Sequence, residues 1–118
     1  MSKKVNNLSI RDRHEAAMEL ADKGTTLLRS GKEQNARTTF RKAFAIEREI
    51  ALSLERDPKN EPSRSTLFKS AASLGIYAGD LVAAERMVLE GLLGTPIRYL
   101  SQKWRYQRHI FLVQNTFS

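Results

Sequence analysis

Displaced by 48 residues, the chain matches itself in side-chain size. Leu20 meets Phe68, Gly24 meets Ala72, Leu28 meets Ile76 and Gly31 meets Gly79. Further on, Ala36 meets Ala84, Phe40 meets Val88 and Ala43 meets Gly91. Large positions align with large, small with small, and one turn glycine with the other. A repeat of this kind restricts the fold to stacked copies of one supersecondary unit, because a single unit cannot bury its apolar face alone. Here the unit is a helix, a short glycine turn and a second helix.

The punctuation supports that division. Ser9 can cap a first helix, with Asp12 as a weak capping-box partner three residues on. Ile10, Ala17, Leu20, Ala21, Gly24, Leu27 and Leu28 then recur near the 3.6-residue period until Ser30-Gly31-Lys32 breaks it. The next helix begins near Glu33, carries Ala36, Phe40, Ala43, Ile50 and Leu54 on one side, and runs to about Arg56. Asp57-Pro58 stops it, since a residue before proline disfavours helical backbone. After the polar PKNEPS loop, a third helix is predicted over Ser63 to Tyr77 and a fourth over Leu81 to Leu93, separated by Ala78-Gly79-Asp80. Thr95-Pro96 is a start signal, with Thr as cap and Pro in the first turn, for a fifth helix over about Pro96 to Val113. No segment shows the alternation of a strand, so the chain is read as all-α. Its expected layout is a flexible lead over 1–8, repeat one over 10–56, a loop over 57–63, repeat two over 64–94, a capping helix over 96–113 and a tail over 114–118.

The small residues then acquire a purpose. Two antiparallel helices joined by a short turn approach closely only where their contact stripe lacks bulk. Gly24 is expected to face Ala36, and Ala72 to face Ala84, with the larger flanking residues buried against the neighbouring pair. Helix propensity lost at Gly75 and Gly91, on the order of 1 kcal/mol each, is recovered by a few tens of Å² of extra apolar burial at about 25 cal/mol per Å².

The small, Ala, apolar, small spacing at Gly24, Ala36, Phe40, Ala43 and again at Ala72, Ala84, Val88, Gly91 resembles the tetratricopeptide repeat, as does Pro96 five residues after Gly91. Ser65 to Thr95 is the closer of the two units. The stretch EPSRSTLFKSAASLGIYAGDLVAAERMVLEGLLGTP also resembles a group of small bacterial helical-repeat proteins, over roughly residues 13–111, that brings no activity with it. The resemblance implies a right-handed α-α superhelix of two repeats plus a C-terminal cap, with a concave face for partners. The sequence departs from that family in its period, 48 residues against about 34. The excess lengthens the second helix and adds the PKNEPS loop. Gly75 stands where the family often has a bulky aromatic, which predicts a more open inner groove, and Arg48 stands where the first repeat would have its closing proline. Because such stacks need about three units, self-association into a homo-oligomer is expected.

Chemistry is sparse. His14-Glu15 opens HEAAM, but a zinc protease helix needs a second histidine where Met18 stands. The other histidine, His109, lies 95 residues away. The serines sit mostly at caps and turns, GLLGTP lacks the lysine of a phosphate loop, and Glu47-Arg48-Glu49 reads as a solvated helix face. No catalytic residue, metal site or cofactor is expected. The chain has no cysteine, no signal-like start, no myristoylation glycine and no apolar run approaching about 18 residues, and so is expected to be cytoplasmic with no membrane partner.

Binding is the remaining class. The family resemblance places the concave face on the first helix of each pair, with Met18, Thr25 and Arg29 in one unit and Thr66, Lys69, Ser73 and Tyr77 in the other. Lys69, Ser73 and Tyr77, four apart, form one stripe suited to a peptide or protein segment. The paired asparagines of carboxylate-clamping members are absent. A net charge of +7 opens an alternative. From Ile97 onward there are four basic side chains, Arg98, Lys103, Arg105 and Arg108, and no acid. Interleaved with Trp104 and Tyr106, they resemble a platform for phosphates and stacked bases. The expected function is therefore a peptide- or protein-binding adaptor using the repeat groove, the alternative a nucleic-acid-binding accessory protein using the terminal helix.

Overall fold

The computed structural model describes residues 9–93, which form two helical hairpins with no strand among them. Helix α1 spans Ile10–Arg29, and the Ser9 hydroxyl caps it by accepting from the Asp12 N–H at 3.0 Å. Gly31 turns the chain at φ +80°, a left-handed conformation that L side chains adopt only with strain. Helix α2, Glu33–Ser53, follows. It ends three residues before the expected Arg56. Leu54 is already extended, and Arg56 instead reaches Glu90 at 2.9 Å. A 3-10 turn over Pro58–Asn60, capped by Asp57, leads into α3, Ser63–Tyr77. Gly79, at φ +81°, closes the second hairpin, and α4 covers Leu81–Leu92.

Each helix packs on its neighbour in the chain: α1 on α2, α2 on α3 and α3 on α4. The core is the stripe the periodicity outlined. Ala36, Phe40, Ala43, Ile50, Phe68, Ala71, Ala72, Met87 and Val88 are all buried, with Met18, Leu20, Leu27 and Leu92 packed against them. The expected fifth helix, Pro96 to Val113, lies outside the described residues.

The seam between paired helices is built from small residues, and its tightest contacts at glycine are ones the sequence pattern does not name. A methyl group added at Gly24 would meet the Phe40 ring at 3.0 Å, so this glycine faces an aromatic ring. In the second hairpin Ala84 faces Gly75, where an added methyl would lie 3.0 Å from the Ala84 Cβ and 3.2 Å from its Cα. Gly75 is therefore buried in the seam and does not open a groove. Gly75 lies one turn along α3 from Ala72, on the same face of the helix.

The α4 start shows the cost of a cap. The Asp80 carboxylate accepts from the Ala83 N–H at 3.0 Å, satisfying one of the donors every helix start leaves open. Asp80→Ala is expected to lower stability by about 1 kcal/mol, read from the midpoint of a urea titration with the m-value unchanged.

Candidate binding face

The first helices of the two hairpins both pack on α2, and a buried carboxylate of α2 is bonded from each of them. Glu47 of α2 is fully buried. From α1, the His14 Nδ1 lies 2.9 Å and 2.8 Å from its two oxygens. From α3, the Ser70 hydroxyl donates to Oε2 at 2.5 Å. With the carboxylate ionised it can only accept, and Nδ1 is then the donor. This corrects the reading of Glu47-Arg48-Glu49 as a solvated face: Arg48 and Glu49 are exposed, but Glu47 is not. The reason is its spacing. Ala43, Glu47, Ile50 and Ala51 share one apolar stripe, and burying a charge there is tolerable only because donors from two other helices meet it.

The cluster fastens helices; it is not set up for nucleophilic catalysis. A nucleophile–base–acid relay needs the hydroxyl on the imidazole and the carboxylate behind it, whereas here both Ser70 and His14 bond to the carboxylate. Among the described residues no group of three or more His, Cys, Asp or Glu side chains could hold a metal ion. A second buried charge, Arg64, ties α3 to the end of α4. Its Nη2 donates to the Glu90 carbonyl at 3.0 Å, and its guanidinium lies 4.7 Å from the centre of the Phe68 ring. Burial pushes this guanidinium below its usual range, Glu61 opposes the shift, Arg56 adds to it, and Glu90 opposes it more weakly. An arginine stays protonated even so, and the burial instead weighs on stability.

Two recesses flank the Glu47 cluster along α1 and α3. One, of about 500 Å³, is lined by Ile10, Arg11 and His14 from α1 and by Pro62, Ser63, Thr66 and Leu67 at the start of α3. The other, of about 240 Å³, lies at the far ends of these helices, where Leu28 and Ile76 border Arg37, Phe40 and Tyr77. Tyr77 stacks on Phe40 with ring centroids 5.0 Å apart and an interplanar angle of 24°, yet remains exposed.

Of the residues singled out in the sequence, Thr66 lines the first recess and Tyr77 the second. The other five line neither. Met18 is half-buried against the core, the Thr25 hydroxyl donates to the Ala21 carbonyl at 3.0 Å, Lys69 is half-buried, and Arg29 and Ser73 are exposed. Arg98, Lys103, Arg105, Tyr106 and Arg108 lie outside the described residues, and with them the basic terminal helix on which the nucleic-acid alternative rests. Pattern reading missed His14, Leu28 and Phe40 as parts of this face. His14 was legible in principle, lying four residues before Met18 on the same side of α1.

Among the described residues no helix is long and apolar enough to cross a membrane. No family model matches the chain, and neither a curated protein nor a solved structure is similar to it.

Proposed function

We propose that the chain is a non-catalytic, tetratricopeptide-like interaction scaffold, cytoplasmic and self-associating, that holds an extended segment of a protein partner between α1 and α3. In this reading residues 96–113 form the cap of the stack, and its concave face is the α1–α3 side. The observation that carries the reading is the pair of recesses that both α1 and α3 border, each with apolar walls and a polar edge. Thr66 and Tyr77 are eleven residues apart on α3, which is about 16 Å at 1.5 Å per residue. About five residues of extended chain cover that distance. The ligand is therefore a short extended segment with apolar side chains about five residues apart, one beside Ile10 and Leu67 and one against the Phe40–Tyr77 stack. Exposed aromatic anchors of this kind dominate binding energy where they fill pockets.

Selection of random peptides displayed on phage against the full chain tests this. Enriched sequences are expected to share two apolar anchors at that spacing. Their affinity, measured by titration calorimetry, is expected to fall about tenfold or more in Tyr77→Ala. Failure to enrich any sequence, or peptides that bind wild type, Tyr77→Ala and Thr66→Arg equally, would remove the groove from consideration.

A further inference from the structure

The second helices carry a face that the groove does not use. On α2, Arg41, Ala45, Arg48 and Leu52 follow one another at intervals of four, three and four, and all are exposed. On α4, Val82, Arg86, Leu89 and Leu93 repeat the same intervals and are also exposed. Such intervals place each set along a single stripe. Leu52 is 53% exposed, Leu89 41% and Leu93 61%, well outside what the core accounts for. The two stripes border one recess of about 560 Å³, lined by Arg48, Leu52, Arg86, Met87, Leu89, Glu90 and Leu93. Its one carboxylate is committed, since Glu90 Oε2 takes a hydrogen bond from Arg56 at 2.9 Å. Among the described residues, Arg41, Arg48 and Arg86 make no ion pair.

The hairpin comparison shows that this apolar character is stronger on α4 than on α2. At the 48-residue offset, Val82 and Leu89 correspond to Gln34 and Arg41 of α2. At these two positions the first hairpin keeps polar side chains where the second has aliphatic ones, while Leu93 corresponds to the smaller Ala45. An apolar stripe in place of a polar one, bordered by unpaired arginines, fits a partner that is apolar along its middle and acidic along its edges.

We propose that the recess between α2 and α4 is a second docking surface, for an amphipathic helix with acidic flanks. The leucines meet the apolar stripe of that helix, and Arg41, Arg48 and Arg86 meet its carboxylates, in the manner of a helix laid in a groove. Guanidinium groups suit this role because each can meet a carboxylate with two parallel hydrogen bonds. Charge separates this occupant from the alternatives. Residues 97–118 of the same chain carry four basic side chains and no acid, so they bring like charge to the arginines. A second copy brings the same arginines and a net charge of +7. Nucleic acid would satisfy the arginines but leave Leu52, Leu89 and Leu93 without an apolar partner.

The probe is a labelled synthetic helix of about 18 residues, with leucines at intervals of three and four and glutamates flanking them. A lysine-flanked version and a mixed-sequence oligonucleotide serve as comparisons. Binding to the full chain is followed by fluorescence anisotropy and by the methyl NMR signals of Leu52, Leu89 and Leu93. The glutamate helix is expected to bind and to shift those methyls. Its affinity should drop at least about tenfold in the Arg48→Glu/Arg86→Glu double variant, weaken as salt rises, and stay unchanged in Tyr77→Ala, which alters only the α1–α3 face. The circular dichroism of the double variant should match wild type, since both side chains are exposed. Four results would each overturn the proposal: equal binding of the lysine helix, binding of the oligonucleotide alone, concentration-dependent self-association that Leu89→Glu abolishes, or contacts from the three methyls to Ile97, Leu100 or Trp104 with no response to the glutamate helix.

Discussion

Gly75→Leu is expected to cost about 3 kcal/mol of stability or more, and to lower the melting midpoint by roughly 10–20 °C for a domain of this size. The seam leaves no other outcome open. The first added carbon already lies 3.0 Å from the Ala84 Cβ and 3.2 Å from the Ala84 backbone, and a leucine adds three more carbons beyond it. The obstacle includes main chain in the first turn of α4, which cannot turn aside as a side chain can. The better helix propensity of leucine returns less than 1 kcal/mol. Gly24→Ala is the control. Its obstacle at 3.0 Å is the edge of the Phe40 ring, which can shift, so the loss should stay within about 1 kcal/mol. Urea titrations of the two variants beside wild type measure both. Equal midpoints for wild type and Gly75→Leu would mean that α3 and α4 do not meet along this line.

The second large effect concerns the buried carboxylate. His14→Ala is expected to cost about 2–3 kcal/mol. It leaves the Glu47 charge inside the fold with Ser70 as its remaining side-chain donor, and removing one partner of a buried pair typically costs 3–5 kcal/mol. The lower figure reflects the half-exposed position of the imidazole, from which water can reach the vacated site. Glu47→Leu should cost less than His14→Ala, although it removes both hydrogen bonds. It takes the charge out of the interior altogether, fills the same space, and leaves His14 free to meet solvent and Ser70 to bond back to its own helix. The double variant should then be no less stable than His14→Ala alone, a non-additivity that a double-mutant cycle measures directly. The reverse order, with Glu47→Leu the more damaging, would show that the carboxylate contributes net stability and is not a charge the fold merely tolerates.

The two kinds of sequence signal differed in reach. Helix existence and most boundaries were legible because capping residues, turn glycines and prolines act locally. Ser9, Asp57, Gly79 and Asp80 each work in the structure through groups within a few residues of themselves. The end of α2 was less legible, since Arg56 leaves the helix for a partner on α4, 34 residues away in the chain. The tightest seam contacts escape the pattern for a related reason. Periodicity fixes which face of α3 is inward, but Ala72 and Gly75 both lie on that face, and the crossing point of two helices decides between them. Glu47 was misread because its residue type outweighed its position. The apolar stripe through Ala43, Ile50 and Ala51 already included it, and a charge on a core stripe is a sign that donors from elsewhere will meet it. On the binding face, Thr66 and Tyr77 were reachable from the α3 stripe, whereas Phe40 and Leu28 join it from other helices, and a one-dimensional pattern does not show such convergence.

The Glu47 cluster also bears on how the molecule comes apart. Where helices touch only their neighbours in the chain, each hairpin can open on its own, as in a linear array with nearest-neighbour coupling. Here one side chain receives bonds from residues 33 positions before it and 23 after it, so the tie within the first hairpin and the tie between the hairpins share one buried carboxylate. Separating the second hairpin from the first therefore strips Glu47 of its Ser70 donor and weakens the closure of the first hairpin as well.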